Sequence, residues 1–422
     1  MTARPGSLEL PHRAYIEALA NAPEGSAAWH AIVAGYAALQ LFENWMEGGL
    51  GASPPSMLEV RRVRRYIEVV PEQQAERRCL TLLVERIEAT SDAAPETLDG
   101  LRGEVGRVLA SYAKLLQYDG YWGLSADVHR TIIEFAQCVN DVERLLDSML
   151  MRGFSLRMQG RLDEASDAYA ALRVAATSAN DERYRLESHL SDAKVAVDRG
   201  NFPAARELLD RTIADARRAE CWVIVGKGLT DRARIAAMQG EYELSLACSY
   251  EALERSRDSF DRERILGNLA LTFGQMGLRD AARDAGLLVA ATAQDRTARL
   301  TAIVNLMELA HQDGRELVFE QYRRELARED LTPYLEAVYL ETSAEGFRAF
   351  GRTVEEKAAI ARLLDVAERH GLHEFVMKAE ALQRGADDAP PAPRSADTAP
   401  TRQIAHIARA IADMRIAAGL PG

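Results

Sequence analysis

Apolar residues return every three or four positions through Trp29–Met46, WHAIVAGYAALQLFENWM, and again at Ile404, Ile407, Ile411 and Met414. That spacing lines one side of a helix and predicts amphipathic helices at both places. The first closes at Gly48-Gly49, and Ser56-Met-Leu-Glu59, following Pro54-Pro55, has the form of a capping box that opens the next helix. Between roughly 100 and 380 the pattern is punctuated by glycine turns at Gly120, Gly160, Gly200, Gly240, Gly277, Gly314 and Gly351, spaced 40, 40, 40, 37, 37 and 37 residues apart. Seven residues before each stand Ala113, Gly153, Ala193, Ala233, Ala270, Met307 and Ala344, and five after come Ser125, Ala165, Ala205, Ser245, Ala282, Phe319 and Glu356. Small residues on both sides of a turn let two helix backbones approach, with Tyr169, Leu209, Phe273 and Phe347 placed to fill the seam. A hairpin of this kind cannot bury both faces alone, so consecutive hairpins must stack.

Segments 157–172, RMQGRLDEASDAYAAL, and 237–253, AMQGEYELSLACSYEAL, with Trp122, Leu162, Phe202 and Tyr242 at the apolar place after the turn, resemble the tetratricopeptide repeat (TPR) family. The resemblance implies an all-α fold, a right-handed superhelical solenoid of stacked hairpins. It departs from the family's usual repeat of about 34 residues, and Arg279, Glu316 and Thr353 replace the apolar residue in the last three repeats. The expected organisation is an N-terminal helical subdomain or degenerate repeats over 1–95, capping a solenoid over 96–385. A proline-rich linker over 386–400 and a C-terminal helix over 401–422 follow. The isoleucine stripe of that helix is expected to dock on its own solenoid or on a partner.

The stretch CWVIVGKGL, 221–229, looks like a strand entering a phosphate loop, but Gly226 and Gly228 fall where every other repeat places its first helix. Asp231 stands where a dinucleotide fingerprint needs its third glycine. No Walker A or GxSxG pattern occurs, and His370-Gly-Leu-His373 reads as a helix exit rather than a metal site. Cys79, Cys138, Cys221 and Cys248 lack metal or disulfide spacing. No enzyme activity, metal or cofactor is expected.

Apolar residues make up 47% of the 422 and charged ones 27%, a globular balance, and the formal charge is -12. That sign disfavours a polyanion-binding surface. Arg61, Arg62, Arg64 and Arg65 spread around a helix instead of forming a stripe. With neither a signal-peptide core nor a stretch long enough to span a bilayer, a cytosolic location and no membrane partner are expected.

What remains is surface recognition. The TPR resemblance implies that the first helix of each hairpin lines a groove for a peptide or protein segment, and places Arg157, Lys194, Arg234, Leu271, Glu308 and His311 on it. Asn268 and Asn305 both lie nine residues before their turn glycines. A carboxamide can pair with both groups of a peptide unit, and TPR peptide sensors of bacteria use asparagines in this way; the competing reading has each asparagine bridging its own neighbouring helices. The expected function is a non-enzymatic adaptor or regulatory sensor. The alternatives are a peptide-gated signalling regulator acting through the N-terminal region, and a homo-oligomer assembled through the C-terminal helix.

Overall fold

The computed structural model describes residues 12–51, 55–91, 93–384 and 400–421, and among them every regular element is an α-helix, twenty in all. The expected linker, from 386 to 399, lies outside the described residues. The chain divides into two compact units, residues 1–208 and 209–422.

The first unit opens with α1 (Arg13–Asn21), α2 (Ala27–Glu47), α3 (Met57–Val69), α4 (Ala75–Ala89), α5 (Pro95–Tyr118) and α6 (Trp122–Cys138). Tyr15, Phe42, Trp45, Tyr112 and Phe135 are fully buried in one core shared by these helices. The polar ends of the buried aromatics are satisfied: Trp45 Nε1 donates to Thr90 Oγ1 at 2.9 Å, and the Tyr15 and Tyr112 hydroxyls pair at 3.1 Å. The N-terminal core therefore reaches past residue 95 to include α5 and α6. Ser56 does occupy the N-cap position of α3, but its hydroxyl makes no capping bond. Glu59, the other half of the expected box, accepts instead from Asn44 Nδ2 at 3.1 Å.

From α6 onward the spacing becomes regular. α7 (Val142–Met158), α8 (Leu162–Ser178), α9 (Glu182–Asp198) and α10 (Phe202–Arg218) each have 17 residues, as α6 does, and three-residue turns join them. Two helices and two turns give the 40-residue period. Each hairpin turn holds its glycine at positive φ, 73° at Gly160, where the Arg161 N–H donates to the Leu156 carbonyl at 3.0 Å and the Gly160 N–H to that of Arg157 at 2.9 Å. These are the reciprocal bonds that close a helix C-terminus. Halfway between glycines, Asn140 and Asn180 adopt the same left-handed conformation. At the seam, a Cβ on Gly153 would lie 2.4 Å from Tyr169 Cε1, so the tyrosine ring fills the space a side chain would take.

The second unit continues from within α10 through α11 (Trp222–Met238), α12 (Tyr242–Arg255), α13 (Ser259–Gln275), α14 (Arg279–Thr292), α15 (Arg296–Gln312), α16 (Glu316–Leu326), α17 (Pro333–Ala349), α18 (Thr353–Arg369) and α19 (His373–Arg384). CWVIVGKGL opens α11 with Cys221 as its N-cap, so Gly226 and Gly228 are helical. The shift from 40 to 37 residues has a local cause. α11, α13 and α15 keep 17 residues while α12 and α14 shorten to 14, and the turns after them supply the N-cap aspartates Asp258 and Asp295. Phe319, bulky where earlier repeats carry a small residue, is accommodated by Gly346, whose Cβ would come within 2.2 Å of its ring.

The last helix, α20 (Arg402–Ala417), packs on α12 and α14, the second helices of their hairpins. Ile404, Ile407 and Ile411 are fully buried there, Met414 is half-buried, and Arg415 pairs with Asp284 at 2.7 Å. No helix among the described residues is long and apolar enough to cross a membrane.

Candidate ligand-binding cleft

α13 and α15 are the first helices of consecutive hairpins, and a cleft of about 530 Å³ opens between them with α14 as its floor. Its walls are set by caps. Asp258 and Asp295 accept from the backbone N–H groups of Asp261 and Ala298, at 3.0 and 2.7 Å, and so fix where each helix starts. Glu263 of α13, 4% exposed, accepts from the Gln294 N–H at 2.7 Å and the Asp295 N–H at 3.3 Å. Two charge-assisted bonds offset the burial of this carboxylate and hold the start of α15 against α13.

The α13 wall presents Arg264, Gly267, Asn268, Leu271, Gly274 and Gln275, and the α15 wall Thr301, Asn305, Glu308 and Gln312. Ala282, Gly286 and Val289 make the floor. A helix-interior glycine costs about 1 kcal/mol against alanine, and α13 carries two of them seven residues apart. A Cβ at Gly267 or Gly274 would meet nothing within 4 Å, in contrast to Gly153. These glycines make room that no side chain of the chain fills. The polar groups on these walls are four carboxamides, the Thr301 hydroxyl, the Arg264 guanidinium and the Glu308 carboxylate. Neither the Asn268 nor the Asn305 carboxamide has a hydrogen-bond partner among the described residues; the bond from Thr272 Oγ1, at 2.8 Å, goes to the Asn268 backbone carbonyl. Gln312 Nε2 donates to Glu308 at 2.9 Å, and burial followed by the charge of Glu341 pushes the Glu308 carboxyl up.

Of the residues expected on a groove, Asn268, Leu271, Asn305 and Glu308 line this cleft together. His311 follows one turn after Glu308, and burial pushes its imidazole below the usual histidine value. Arg234 is exposed on α11 and does not line the cleft. Arg157 belongs to the first unit, paired with Asp198 at 2.6 Å and lying over the Phe154 ring, and Lys194 stands half-buried on α9 of the same unit. Gly267 and Gly274 were not expected on the site. The signal was present in LGNLALTFG, two glycines inside a segment that must be helical.

No family model and no curated protein matches the sequence. Among solved structures, similar folds include pilF from Pseudomonas aeruginosa, 15% identical over 58% of this chain and 99% of that one with a TM-score of 0.43. A Rap protein in complex with competence and sporulation factor is 14% identical, over 84% and 100%, with a TM-score of 0.46. The apo form of RapI is 10% identical, over 80% and 98%, also at 0.46. At such scores these likenesses say nothing about any residue or ligand of this chain. Its own helix pairs, closed at seven glycines of positive φ and packed on their neighbours within each unit, make it an all-α protein of stacked helical hairpins.

Proposed function

We propose that this chain is a non-enzymatic binding protein that holds an extended peptide segment in the cleft between α13 and α15. The observation that carries the reading is the pair of unengaged carboxamides, Asn268 and Asn305, at equivalent positions on the two walls. Each offers a donor and an acceptor, the set that a peptide unit requires. A cleft of about 530 Å³ lies within the range of roughly 300–1,000 Å³ usual for ligand sites. Gly267 and Gly274 allow a backbone to lie close to α13. The same cleft serves an adaptor, which binds a segment of another protein, and a sensor, which binds a free peptide. A self-assembling role for α20 has less support, because its isoleucines are buried against α12 and α14 of the same chain.

The test is selection of the full chain against a displayed random heptapeptide library, followed by fluorescence anisotropy of the enriched peptides. Asn268→Ala with Asn305→Ala removes up to four hydrogen bonds worth about 0.5–1.5 kcal/mol each. We expect at least a tenfold loss of affinity. No enriched peptide, or enriched peptides indifferent to the double substitution, would overturn the assignment.

A further inference from the structure

Beside the cleft, α15, α17 and α19 carry a group of side chains for which peptide binding in general supplies no role. Glu308 and Glu345 each lie six residues before a turn glycine, one repeat apart, and Glu341 stands one turn before Glu345. Lys378 is the ammonium they face, and it is divided between Glu341 Oε2 at 3.2 Å and Glu374 Oε1 at 3.1 Å. Three carboxylates thus share part of one cation. His311 adds another acceptor: its side chain is nine-tenths buried, and Nε2, aimed at Glu345, has no hydrogen-bond partner among the described residues. The gap from Nε2 to Glu345 Oε2 is 3.8 Å, too long for a hydrogen bond. Glu308 already receives Gln312 Nε2 and Glu341 receives Lys378, whereas the Glu345 carboxylate and His311 Nε2 have no donor among the described residues.

Resting on the reading of the adjoining cleft as a peptide site, we propose that Glu308, Glu341, Glu345 and His311 form a subsite for a hydrogen-bond-donating cation of the bound segment. Such a cation is an arginine guanidinium, a lysine ammonium or a free amino terminus. Its charge relieves the repulsion among the carboxylates, and its N–H groups reach both Glu345 and, in the tautomer protonated at Nδ1, the lone pair of His311 Nε2. Glu345 keeps 43% of its side chain open to solvent, so a ligand can approach it, and Glu308 is shared with the cleft.

The ionisation of the cluster agrees with an excess of carboxylates over cations. Burial, then the charges of Glu341 and Glu308, push the Glu345 carboxyl up to about 7 against the opposing pull of Lys378 and Arg348. Glu341 is raised by burial as well. The groups facing Glu345 are Glu308 and His311 from α15, Glu341 and Arg348 from α17, and Lys378 with Glu374 from α19. A proton on Glu345 fills the donor gap at low pH, and a ligand cation must displace it. Binding therefore releases protons near pH 6.5 and weakens as pH falls below about 7.

The experiment uses the full chain and small probes. N-acetyl-arginine amide, N-acetyl-lysine amide and alaninamide represent the two side chains and the terminus, and N-acetyl-citrulline amide is the neutral control. Saturation-transfer NMR at pH 7.5, with calorimetry in buffers of different ionisation enthalpy, reads affinity and proton release. At least one cation should bind saturably and tenfold or more tighter than the control, with the strongest of the three naming the source. Glu308→Gln with Glu345→Gln should cost at least tenfold, and the single Glu345→Gln, which removes a repelled charge and threatens no fold, at least threefold. Equal binding of cation and control, or indifference to the glutamine variants, overturns the subsite. Its failure is distinct from failure of the cleft, because peptide binding would still depend on Asn268 and Asn305.

Discussion

Glycines inside helices do opposite things on α7 and on α13. At Gly153 on α7 the missing side chain is replaced by the Tyr169 ring of α8, which is 1% exposed and closes the hairpin seam. At Gly267 and Gly274 on α13 nothing replaces it, and the space joins the cleft facing α15. Both sites forgo helix propensity, but only the first returns the loss as packing. At these two places a helix-interior glycine marks a closed seam in one case and an open cleft wall in the other, and its neighbours decide which.

The largest effect that separates the two regions is the loss of the seam filler. Tyr169→Ala should lower stability by about 3–5 kcal/mol, the range for emptying a buried aromatic site, whereas Leu271→Ala on the cleft wall, 52% exposed, should change it by about 0.5 kcal/mol or less. Urea midpoints of the two variants measure the difference, and similar losses would mean that the cleft is part of the core. Next comes Gly153→Ala, which forces a methyl against the tyrosine ring and should cost about 1–3 kcal/mol.

The same substitution in the cleft should have the opposite sign. Gly267→Ala with Gly274→Ala meets no atom within 4 Å and should stabilise the chain by about 0.4–1 kcal/mol per site. Peptides selected by the parent chain should bind the variant several-fold more weakly, because the methyl groups stand where a ligand backbone comes close. A variant that is more stable and binds equally well would show that the open face of α13 is not used.

How much of this the sequence discloses depends on the range of the interaction. Turn glycines act locally, through the left-handed backbone they allow, so the seven hairpins are legible from Gly120 to Gly351. The 37-residue spacing is legible as a number, while its cause, shorter second helices and aspartate caps at Asp258 and Asp295, needs the helix ends. Asn268 and Asn305 could be picked out because repeats translate equal offsets into equal faces, and Glu308 and His311 follow from the same register. The acidic subsite could not be assembled that way. Glu341 and Lys378 lie 37 residues apart on α17 and α19, and only packing brings them to 3.2 Å. The Ser56 box illustrates the reverse case, where a local motif is present but a tertiary partner, Asn44, takes its glutamate.

The smallest effect is also the one with the most specific signature. The unfolded chain releases the Glu345 proton near the ordinary carboxylate value of about 4.3, while the folded chain holds it to about 7. Between those values the native state binds more protons than the unfolded one, so stability contributed by this group falls as pH rises through the window and levels off above it. Glu345→Gln, which mimics the protonated form, should match the parent at pH 4.5 and exceed it at pH 8, by no more than about 1 kcal/mol because the side chain is partly solvated. Glu320 is the internal control. Hydrogen bonding to Arg323 holds its carboxyl down, so Glu320→Gln should instead lose stability above the usual carboxylate range and converge with the parent in acid. Denaturation midpoints of both variants across pH 4.5–8 check the pair: slopes of opposite sign place Glu345 in a cluster short of a cation and Glu320 in one already supplied, whereas slopes of one sign would remove that contrast.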